Sequence, residues 1–301
     1  MKDDVRWDDL RVFFHVAKAT QLTLAAKTMG LDPATLSRRI SRLETDMNTR
    51  LFAKSPQGYV MTEAGVKLYE HVEGMNRASR SALDEIQNHP GQLKGSIRIG
   101  APDGLANYLL PQVCAEICDE NPSLDIQIVA LPRVLNLSKQ EADMAITVSP
   151  PNAERLSVKK ISNYSLHLAA TREYLEDHPP IQSISDLNNH RLIGYINDLI
   201  FDDELDYMSE LGEKIRAPLT SNSFSVQINW ARRGAGICIV HDFAISTFPD
   251  LCRILIDELS LKRAFYLVRH RDDNKVERLN RMAEHLINKI RAEIKRLEAN
   301  I

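Results

Sequence analysis

The sequence predicts a multidomain α/β protein with a small, mostly helical N-terminal domain, one long helix and a larger α/β domain of two lobes. Apolar residues at helical spacing dominate the N-terminal part. From about residue 95 onward, strand-like and helix-like segments alternate. At 301 residues the chain is long for one domain, and its length suits a small domain followed by a larger one.

Residues 21–52 have the pattern of two short helices packed around a tight turn. Gly30 can adopt the positive φ that such a turn requires. Asp32 stands where a helix N-cap belongs, and Pro33 stands at the first helical position, where its missing N–H costs nothing. The apolar residues of the pair, spaced three to five apart, are Leu24, Ala25, Ala26, Met29, Leu31, Leu36, Ile40 and Leu43. The pattern predicts a helix-turn-helix over about residues 22–41.

The second helix of this pair carries small polar and basic residues on the faces that its apolar stripe leaves free. Small polar residues and Arg at the outward N-terminal end of a short helix suit the major groove of DNA. The alternative is an ordinary pair of surface helices with a charged exterior. The candidate DNA-contacting residues of the two helices are Thr23, Ala34, Thr35, Ser37, Arg38, Arg39 and Arg42.

Elements on both sides of the pair complete a winged helix-turn-helix over residues 6–63. Asn48 can take the left-handed conformation that ends a helix. Two short apolar runs, Leu51-Phe52 and Tyr59-Val60, predict a small hairpin, or wing, whose loop and Lys54 would lie beside the phosphate backbone. One face of a first helix, expected to pack behind the pair, consists of Trp7, Leu10, Phe13, Phe14, Val16 and Ala17.

A long helix is predicted between the two domains, within residues 64–92. Thr62 caps it, and His89-Pro90-Gly91 ends it. One alternative is a helix that lies on its own domain. An exposed helix between domains has nothing else to bury its apolar stripe against, so we expect a dimer that reads a roughly palindromic site. The stripe, which has coiled-coil spacing, consists of Leu68, Val72, Met75, Ser79, Ala82 and Ile86.

The larger domain, residues 93–301, alternates strands and helices, which predicts a mostly parallel sheet covered by helices. The first series has strands at 96–100, 124–131 and 144–148, with helices at 105–120 and 134–141. The second series has strands at 192–195 and 235–240, with helices near 203–211 and at 225–233. A last helix spans residues 276–297.

Two such lobes would leave a cleft at the carboxyl ends of their strands, where hydroxyls, amides and backbone N–H groups suit a small polar ligand. Each of these residues taken singly is more often a structural cap or turn residue. Asp103 would repel an anion and Arg133 would attract one, so the charge of the ligand stays open. The candidates are Pro102, Asp103, Gly104, Pro132, Arg133, Thr147, Ser149, Tyr195, Asn197, Asn222, Phe224 and His241.

The net charge of −3 hides an asymmetry, since residues 1–65 carry +2 and residues 95–301 carry −5. This modest basic excess suggests that tight DNA binding needs two or more copies. The charged N-terminus lacks an apolar signal segment, and no apolar run approaches the length of a membrane span, so we expect a cytoplasmic protein. The cysteines, which fit reduced core thiols rather than a metal half-site, are Cys114, Cys118, Cys238 and Cys252.

Motifs of catalysis are absent from the sequence. It contains no nucleophile elbow, phosphate-binding loop, zinc-protease motif or dinucleotide fingerprint, and its nine histidines lack ligand spacing. We therefore expect neither an enzyme nor a resident metal or cofactor. A solute-binding protein for transport would explain the larger domain but not the DNA-binding pattern.

The N-terminal pattern resembles the DNA-binding domain of LysR-type transcriptional regulators. The residues that carry it are Leu10 to Phe13, Ala25-Ala26, Leu36-Ser37-Arg38, Leu43-Glu44, Arg50-Leu51-Phe52 and Thr62 to Gly65. The chain departs from the family where Asp32-Pro33 replace the usual Ser-Gln, and where Asn48 replaces Gly. The resemblance therefore does not specify the DNA sequence that is bound.

The resemblance extends more loosely over the larger domain, which is similar to the effector-binding domain of these regulators and to periplasmic solute-binding proteins. It implies one lobe from residues 95–163 and 271–301, a second from 164–270, and crossover strands near 165–170 and 264–268. It implies a regulator of transcription that binds double-stranded DNA and a small-molecule effector, as a homodimer or dimer of dimers, with RNA polymerase as a further candidate partner. In the oxidant-sensing branch of the family the reactive cysteines lie near residues 195–215, and this chain has none there.

Overall fold

The computed structural model describes residues 5–19, 21–55, 58–87, 93–130, 142–212 and 215–299. The chain divides into two compact units, Met1–Gln87 and Asn88–Ile301. Two of the candidate cleft residues, Pro132 and Arg133, lie outside the described residues, as do the helix predicted at 134–141 and the predicted helix end at residues 89–91.

The N-terminal unit is a winged helix-turn-helix followed by a long helix, as the sequence predicts. Its elements are α1 (Trp7–Ala19), α2 (Leu22–Met29), α3 (Pro33–Asp46), β1 (Phe52–Ser55), β2 (Gly58–Met61) and α4 (Glu63–Gln87). The predicted turn residues behave as expected, with φ of +64° at Gly30 and +48° at Asn48. Thr62 accepts a hydrogen bond from the Gly65 N–H at 3.0 Å, so it caps the start of α4.

The core of this unit forms where α1, α3 and the wing meet. Phe13, Leu36, Leu43 and Leu51 are each 0% exposed. The prediction that Trp7 and Leu24 belong to this core is wrong, because Trp7 is 72% exposed and Leu24 is 53% exposed. Trp7 stands in the first turn of α1, off the stripe that faces the core, and Leu24 stands off the face of α2 that buries the two alanines.

The first half of α4 packs on its own domain. Tyr69 stacks on Phe14 with ring centroids 5.5 Å apart, Val72 is 3% exposed, and Leu68 is half-buried in the same apolar cluster. The expectation that the whole apolar stripe lacks a surface to cover it is therefore wrong for Leu68 and Val72. Ser79 and Ala82, further along the helix, are exposed.

The described residues of the C-terminal unit form one nine-stranded sheet. Its strands are β3 (Gly95–Ala101), β4 (Leu124–Ala130), β5 (Met144–Thr147), β6 (Leu156–Thr171), β7 (Leu192–Gly194), β8 (Leu219–Thr220), β9 (Ile237–His241), β10 (Leu251–Ile254) and β11 (Leu261–His270). The order is β4-β3-β5-β11-β6-β9-β7-β8, and β10 pairs with β6. β3 is parallel to β4 and β5, and β7 is parallel to β8 and β9, so the predicted α/β architecture is confirmed at both ends.

The helices of this unit are α5 (Asp103–Tyr108), α6 (Leu110–Glu120), α7 (Arg172–Asp177), α8 (Phe224–Arg232), α9 (Asp242–Ile245) and α10 (Glu277–Glu298). The single helix predicted at 105–120 is two helices, because Leu109 leaves helical geometry and Pro111 has no N–H for the helical ladder. The helix predicted near 203–211 is two 3-10 turns, Asp203–Leu205 and Ser209–Leu211. There the carboxylates of Asp202 and Asp206 accept backbone N–H groups and compete with helix formation.

Two long antiparallel strands, β6 and β11, run through the middle of the sheet and are longer than the predicted crossover strands. β6 pairs with β11 from Leu156 to Leu166 and with β9 from Leu166 onward. We call residues 95–163 with 271–299 the first lobe, and residues 164–270 the second lobe. Tyr164 and Phe265 stack at this crossing with centroids 4.0 Å apart.

Candidate nucleic-acid interface and effector cleft

The position of α3 is set by its cap and its apolar stripe. The Asp32 carboxylate accepts the Thr35 N–H at 2.8 Å, and hydrogen bonds from Thr35 lower the pKa of Asp32, which keeps this cap ionised. Leu36 and Leu43 are fully buried, which turns the opposite side of the helix outward. On that side Arg38 is exposed, and its guanidinium donates to the Thr35 hydroxyl at 3.0 Å.

The predicted DNA-contacting residues of α3 differ in whether their side chains are paired with carboxylates. Arg42 forms a bidentate ion pair with Asp9 of α1, with its Nε 2.7 Å from Oδ2, and Asp9 is fully buried. Through this ion pair Arg42 joins α3 to α1, and its interpretation as a DNA contact stays a prediction. Arg39 lies 3.9 Å from Asp8 and is partly exposed. Thr23, Ala34, Thr35, Ser37 and Arg38 are exposed or half-buried, with no ion pair to a carboxylate among the described residues.

A buried carboxylate that sequence reasoning missed holds the wing. Glu44 is 7% exposed and accepts the N–H groups of Leu51 at 2.8 Å and Phe52 at 3.1 Å. Its other oxygen pairs with Arg50 at 2.8 Å. Burial opposes ionisation, but these donors outweigh it and lower the pKa of Glu44. A charged residue next to Leu43 in the apolar stripe is the sequence signal that could have indicated this role. The side chain of Lys54 lies outside the described residues.

In the C-terminal unit, three of the predicted cleft residues meet where the lobes join. Phe224 and His241 pack edge-on, with ring centroids 4.4 Å apart. A Cβ on Gly104 would come within 2.8 Å of His241 Cε1, so α5 approaches this pair as closely as only glycine permits. Phe224 and His241 are buried, and burial lowers the pKa of His241 to about 3, so its ring is neutral at neutral pH.

Asp103 bridges the two lobes. Its Oδ2 accepts the Ser223 hydroxyl at 3.0 Å and the Ser225 N–H at 2.8 Å, both at the start of α8. Its Oδ1 accepts the Asn107 amide at 2.8 Å within its own helix. Pro102, at the N-cap position of α5, provides no side-chain cap.

A second bridge joins the ends of the strands. The Thr147 hydroxyl donates to the Ser149 carbonyl at 2.7 Å, and the Ser149 hydroxyl donates to the Asp202 carboxylate of the second lobe. Asp202 was missed, because its partner stands 53 residues away in the sequence. Asn222 is exposed and makes no described side-chain contact.

Tyr195 and Asn197 line a narrow pocket in the second lobe, with Tyr207, Asp206 and Gln227 among its other polar walls. Tyr195 and Tyr207 pack edge to face at 5.9 Å, and burial raises the pKa of both hydroxyls.

Three buried polar groups near this pocket have few partners in the described part of the chain. His241 Nδ1 is buried without a hydrogen-bond partner there. The hydroxyls of Tyr164 and Tyr207 interact with each other and find no further partner among the described residues. Both tyrosines were missed, since an aromatic residue within a predicted strand or helix is typical of a core. Such groups could still bond to a polar ligand.

Two of the four cysteines, Cys114 and Cys238, are buried. Burial raises the pKa of Cys114 and of Cys238 to about 12, so both stay protonated thiols and are poor nucleophiles. Within the described ranges, no cluster of three or more His, Cys, Asp or Glu side chains could hold a metal ion. No helix in the part of the chain that the structure describes is both long and apolar enough to cross a membrane.

Two family models match the chain. The model described as "Bacterial regulatory helix-turn-helix protein, lysR family" matches residues 7–66. The model described as "LysR substrate binding domain" matches residues 90–291, which is more than half of the chain. Both matches coincide with the two units of the fold.

Named relatives and solved structures are similar along most of the chain. "HTH-type transcriptional activator TtdR" of Escherichia coli K12 is 26% identical over 252 residues, which cover 80% of this chain and 79% of that protein. "HTH-type transcriptional regulator PtxR" of Pseudomonas aeruginosa is 26% identical over 186 residues, 62% of this chain and 60% of its own. Full-length AphB, a Vibrio cholerae virulence activator, has a TM-score of 0.57 at 24% identity over 94% of this chain and 99% of its own. A full-length OxyR variant of Pseudomonas aeruginosa reaches 0.72 at 17% identity over 96% and 98%. At these identities the structures show the fold.

Proposed function

The chain belongs to the LysR family of bacterial transcriptional regulators, and from that premise we propose which residues contact DNA, how copies assemble and where the effector binds. It is a regulator with a helix-turn-helix DNA-binding domain and an effector-binding domain. The family consists of regulators rather than enzymes, and its members bind DNA and effectors and form oligomers. We propose domain limits of 6–63, 64–92 and 93–301, with the two lobes as defined above.

The N-terminal face of α3 reads the major groove. The observation that carries this proposal is the exposed Arg38, whose guanidinium is held by Thr35 and has no carboxylate partner among the described residues. Thr35, Ser37 and Ala34 would contact base edges beside it, while Thr23, Arg39 and Lys54 would contact phosphates. Arg42 is not among the proposed DNA contacts, because its guanidinium forms an ion pair with Asp9.

Gel retardation and footprinting on DNA upstream of the chain's own gene test this proposal. Arg38→Ala should lower specific affinity by roughly 5- to 150-fold, the equivalent of about 1–3 kcal/mol for a bidentate base contact. Lys295→Ala on α10 is the matched control, because it removes one exposed cation from the other unit and should leave the affinity unchanged. Equal affinities for Arg38→Ala and wild type would remove α3 from the interface.

Copies of the chain assemble through α4 into a homodimer, and two dimers form a tetramer, with RNA polymerase as a further partner at the promoter. Support comes from the exposed Ser79 and Ala82 of α4 and from the small basic excess of residues 1–65, which favours binding by several domains together. Because the target is chromosomal DNA in a bacterial family, we place the protein in the cytoplasm. Light scattering of the full chain at several concentrations measures the assembly.

The effector binds in the cleft between the two lobes, at the carboxyl ends of β3, β5 and β7. Support comes from the buried polar atoms that meet there, above all His241 Nδ1 and the Tyr164 and Tyr207 hydroxyls. An effector would shift the balance between inter-lobe arrangements and so change the spacing of the DNA-binding domains. Thermal-shift screening of the full chain against metabolites tests this, because a ligand that binds the folded state raises its Tm.

A further inference from the structure

We propose that the Asp103 carboxylate takes the hydrogen-bond donors of the effector cleft that an anionic effector would otherwise use. The effector is then an uncharged or positively charged molecule. This inference rests on the proposed cleft site and names the class of its ligand. The Asp103 carboxylate accepts hydrogen bonds from residues of both lobes.

The geometry around Asp103 is that of a bound anion. Its carboxylate receives the Ser223 hydroxyl, the Ser225 N–H and the Asn107 amide, all between 2.8 and 3.0 Å. Two of these donors, from Ser223 and Ser225, lie at the start of the nine-residue helix α8. A helix N-terminus attracts negative charge through its free N–H groups and its dipole. Asp103 therefore uses the donors that an anionic effector would need.

The remaining charges described around the cleft are unfavourable for a second anion. Asp202 receives the Ser149 hydroxyl, and Asp206 lines the neighbouring pocket. The nearby cation Arg263 is already paired with Glu204 and Glu210, each at 2.7 Å. A carboxylate that entered this site would gain no unpaired cation from these described residues, while Asp202 and Asp206 add negative charge to the region.

The buried polar groups next to α5, on His241, Tyr164 and Tyr207, are neutral at neutral pH. His241 Nδ1 would lie 3.3 Å from a Cβ on Gly104, so it faces the start of α5, and burial lowers the pKa of His241 to about 3. The rings of Tyr164 and Tyr207 lie beside it, with Tyr164 and His241 centroids 5.4 Å apart. A neutral imidazole and phenol groups can exchange hydrogen bonds with hydroxyl, amide or ammonium groups of a ligand. Aromatic faces at Tyr195 and Tyr207 also suit a cation.

Removing the carboxylate from Asp103 should turn the site into one that accepts a free carboxylate. The experiment compares full-length wild type with Asp103→Ala by thermal shift and calorimetry, using sodium acetate against sodium chloride at equal ionic strength. We expect Asp103→Ala to have a lower Tm than wild type, and acetate to raise it. Acetate should bind this variant at least tenfold more tightly than it binds wild type.

Two further variants keep the test decisive. Asp186→Ala is the matched control, because Asp186 also accepts two backbone N–H groups, at 2.8 and 2.9 Å, but on the exposed surface of the second lobe. Acetate should not restore its Tm. If Asp103→Ala does not fold, Asp103→Ser supplies a smaller polar residue and leaves the same space for acetate.

The outcomes separate the ligand class from the function of the cleft. Equal acetate binding by wild type and the Asp103 variants would overturn the proposal that the Asp103 carboxylate takes the donors of an anionic effector. An anionic metabolite that stabilises wild type, and loses this effect in Tyr207→Phe, would overturn the ligand class while keeping the cleft as the effector site. A ligand whose binding is unchanged in both variants would overturn the cleft proposal itself. Uncharged or cationic ligands that depend on Asp103 or Tyr207 would support both.

Discussion

At the residue scale, the ion pair between Arg42 and Asp9 stabilises the fold of the N-terminal unit. Asp9 is 0% exposed, and Arg42 supplies both of its charged hydrogen bonds. Arg42→Ala would leave a buried carboxylate with its main partner removed, so we expect a loss of about 2–3 kcal/mol in the free energy of unfolding. Urea denaturation of the full chain, followed through the N-terminal unit, measures this loss.

Arg38→Ala is the comparison variant for that prediction. Arg38 is exposed and contacts Thr35 on its own helix, so its removal should change the free energy of unfolding by less than about 0.5 kcal/mol. If Arg42→Ala proves as stable as Arg38→Ala, the structural role of Arg42 is wrong.

The lowered pKa of Glu44 makes the free energy of unfolding of the N-terminal unit depend on pH. The folded state lowers the pKa of Glu44 below its ordinary value of 4.5, so its stabilising contribution is present above pH 4.5 and is lost as the pH falls through the folded-state pKa. Glu44→Gln should therefore cost about 1–2 kcal/mol at pH 7, and this difference should shrink as the pH falls from 4.5 through the folded-state pKa. Denaturation curves of both proteins across this range measure the difference.

Glu63→Gln is the matched control for this pH series. Its ion pair with Lys67 at 2.8 Å is solvent-exposed on both sides, so its removal should cost under about 0.5 kcal/mol at pH 7. A Glu44→Gln difference that does not change with pH would contradict the role of the ionised Glu44 carboxylate.

At the element scale, α4 combines two packing surfaces along one helix. Its first half covers the core of its own unit through Tyr69 and Val72, and its exposed residues continue to Ala82. Ala82→Glu would place a charge in the proposed seam between two copies of α4, so we expect at least a tenfold weaker dimer. Sedimentation velocity measures the dimer dissociation constant.

Val66→Glu is the matched control for the seam. Val66 is 46% exposed on the same helix and stands off the apolar stripe, so this variant adds the same charge outside the proposed seam. It should leave the dimer dissociation constant unchanged. Unchanged dimerisation in Ala82→Glu as well would exclude this surface.

Local signals explain which elements could be predicted from the sequence. The cap at Asp32, the turn at Gly30 and the left-handed Asn48 each act within a few residues, and each is found in the structure as predicted. The break at Leu109 and the 3-10 turns after Asp202 were missed, because proline and competing side-chain hydrogen bonds overrode an apolar pattern that suits a helix. Helix periodicity alone could not resolve either.

Contacts between distant segments explain what could not be predicted in the candidate sites. The cleft residues were named from strand ends, but Asp103 meets Ser225 across 122 positions of sequence. Likewise the bond from Arg42 to Asp9 depends on how α1 crosses α3, and a sequence pattern shows only that both helices are amphipathic. The sequence therefore indicates a candidate region for each site, but it could not show which charges are already paired.

At the scale of the whole molecule, each unit has its own core and its own chemistry. The unit Met1–Gln87 presents the outward face of α3, and the unit Asn88–Ile301 holds the neutral buried groups and bridging carboxylates of the cleft. The basic excess lies in the first unit and the acidic excess in the second. This division matches a regulator in which one unit binds DNA and the other binds the effector.

We propose above all that the outward N-terminal face of α3 reads DNA sequence. The most direct measurement is the relative affinity of wild type and Arg38→Ala for every single-base variant of the footprinted site at one salt concentration. We expect Arg38→Ala to lose discrimination at one base pair in each half-site and to keep its preferences elsewhere. The same preferences at every position in both proteins would contradict it.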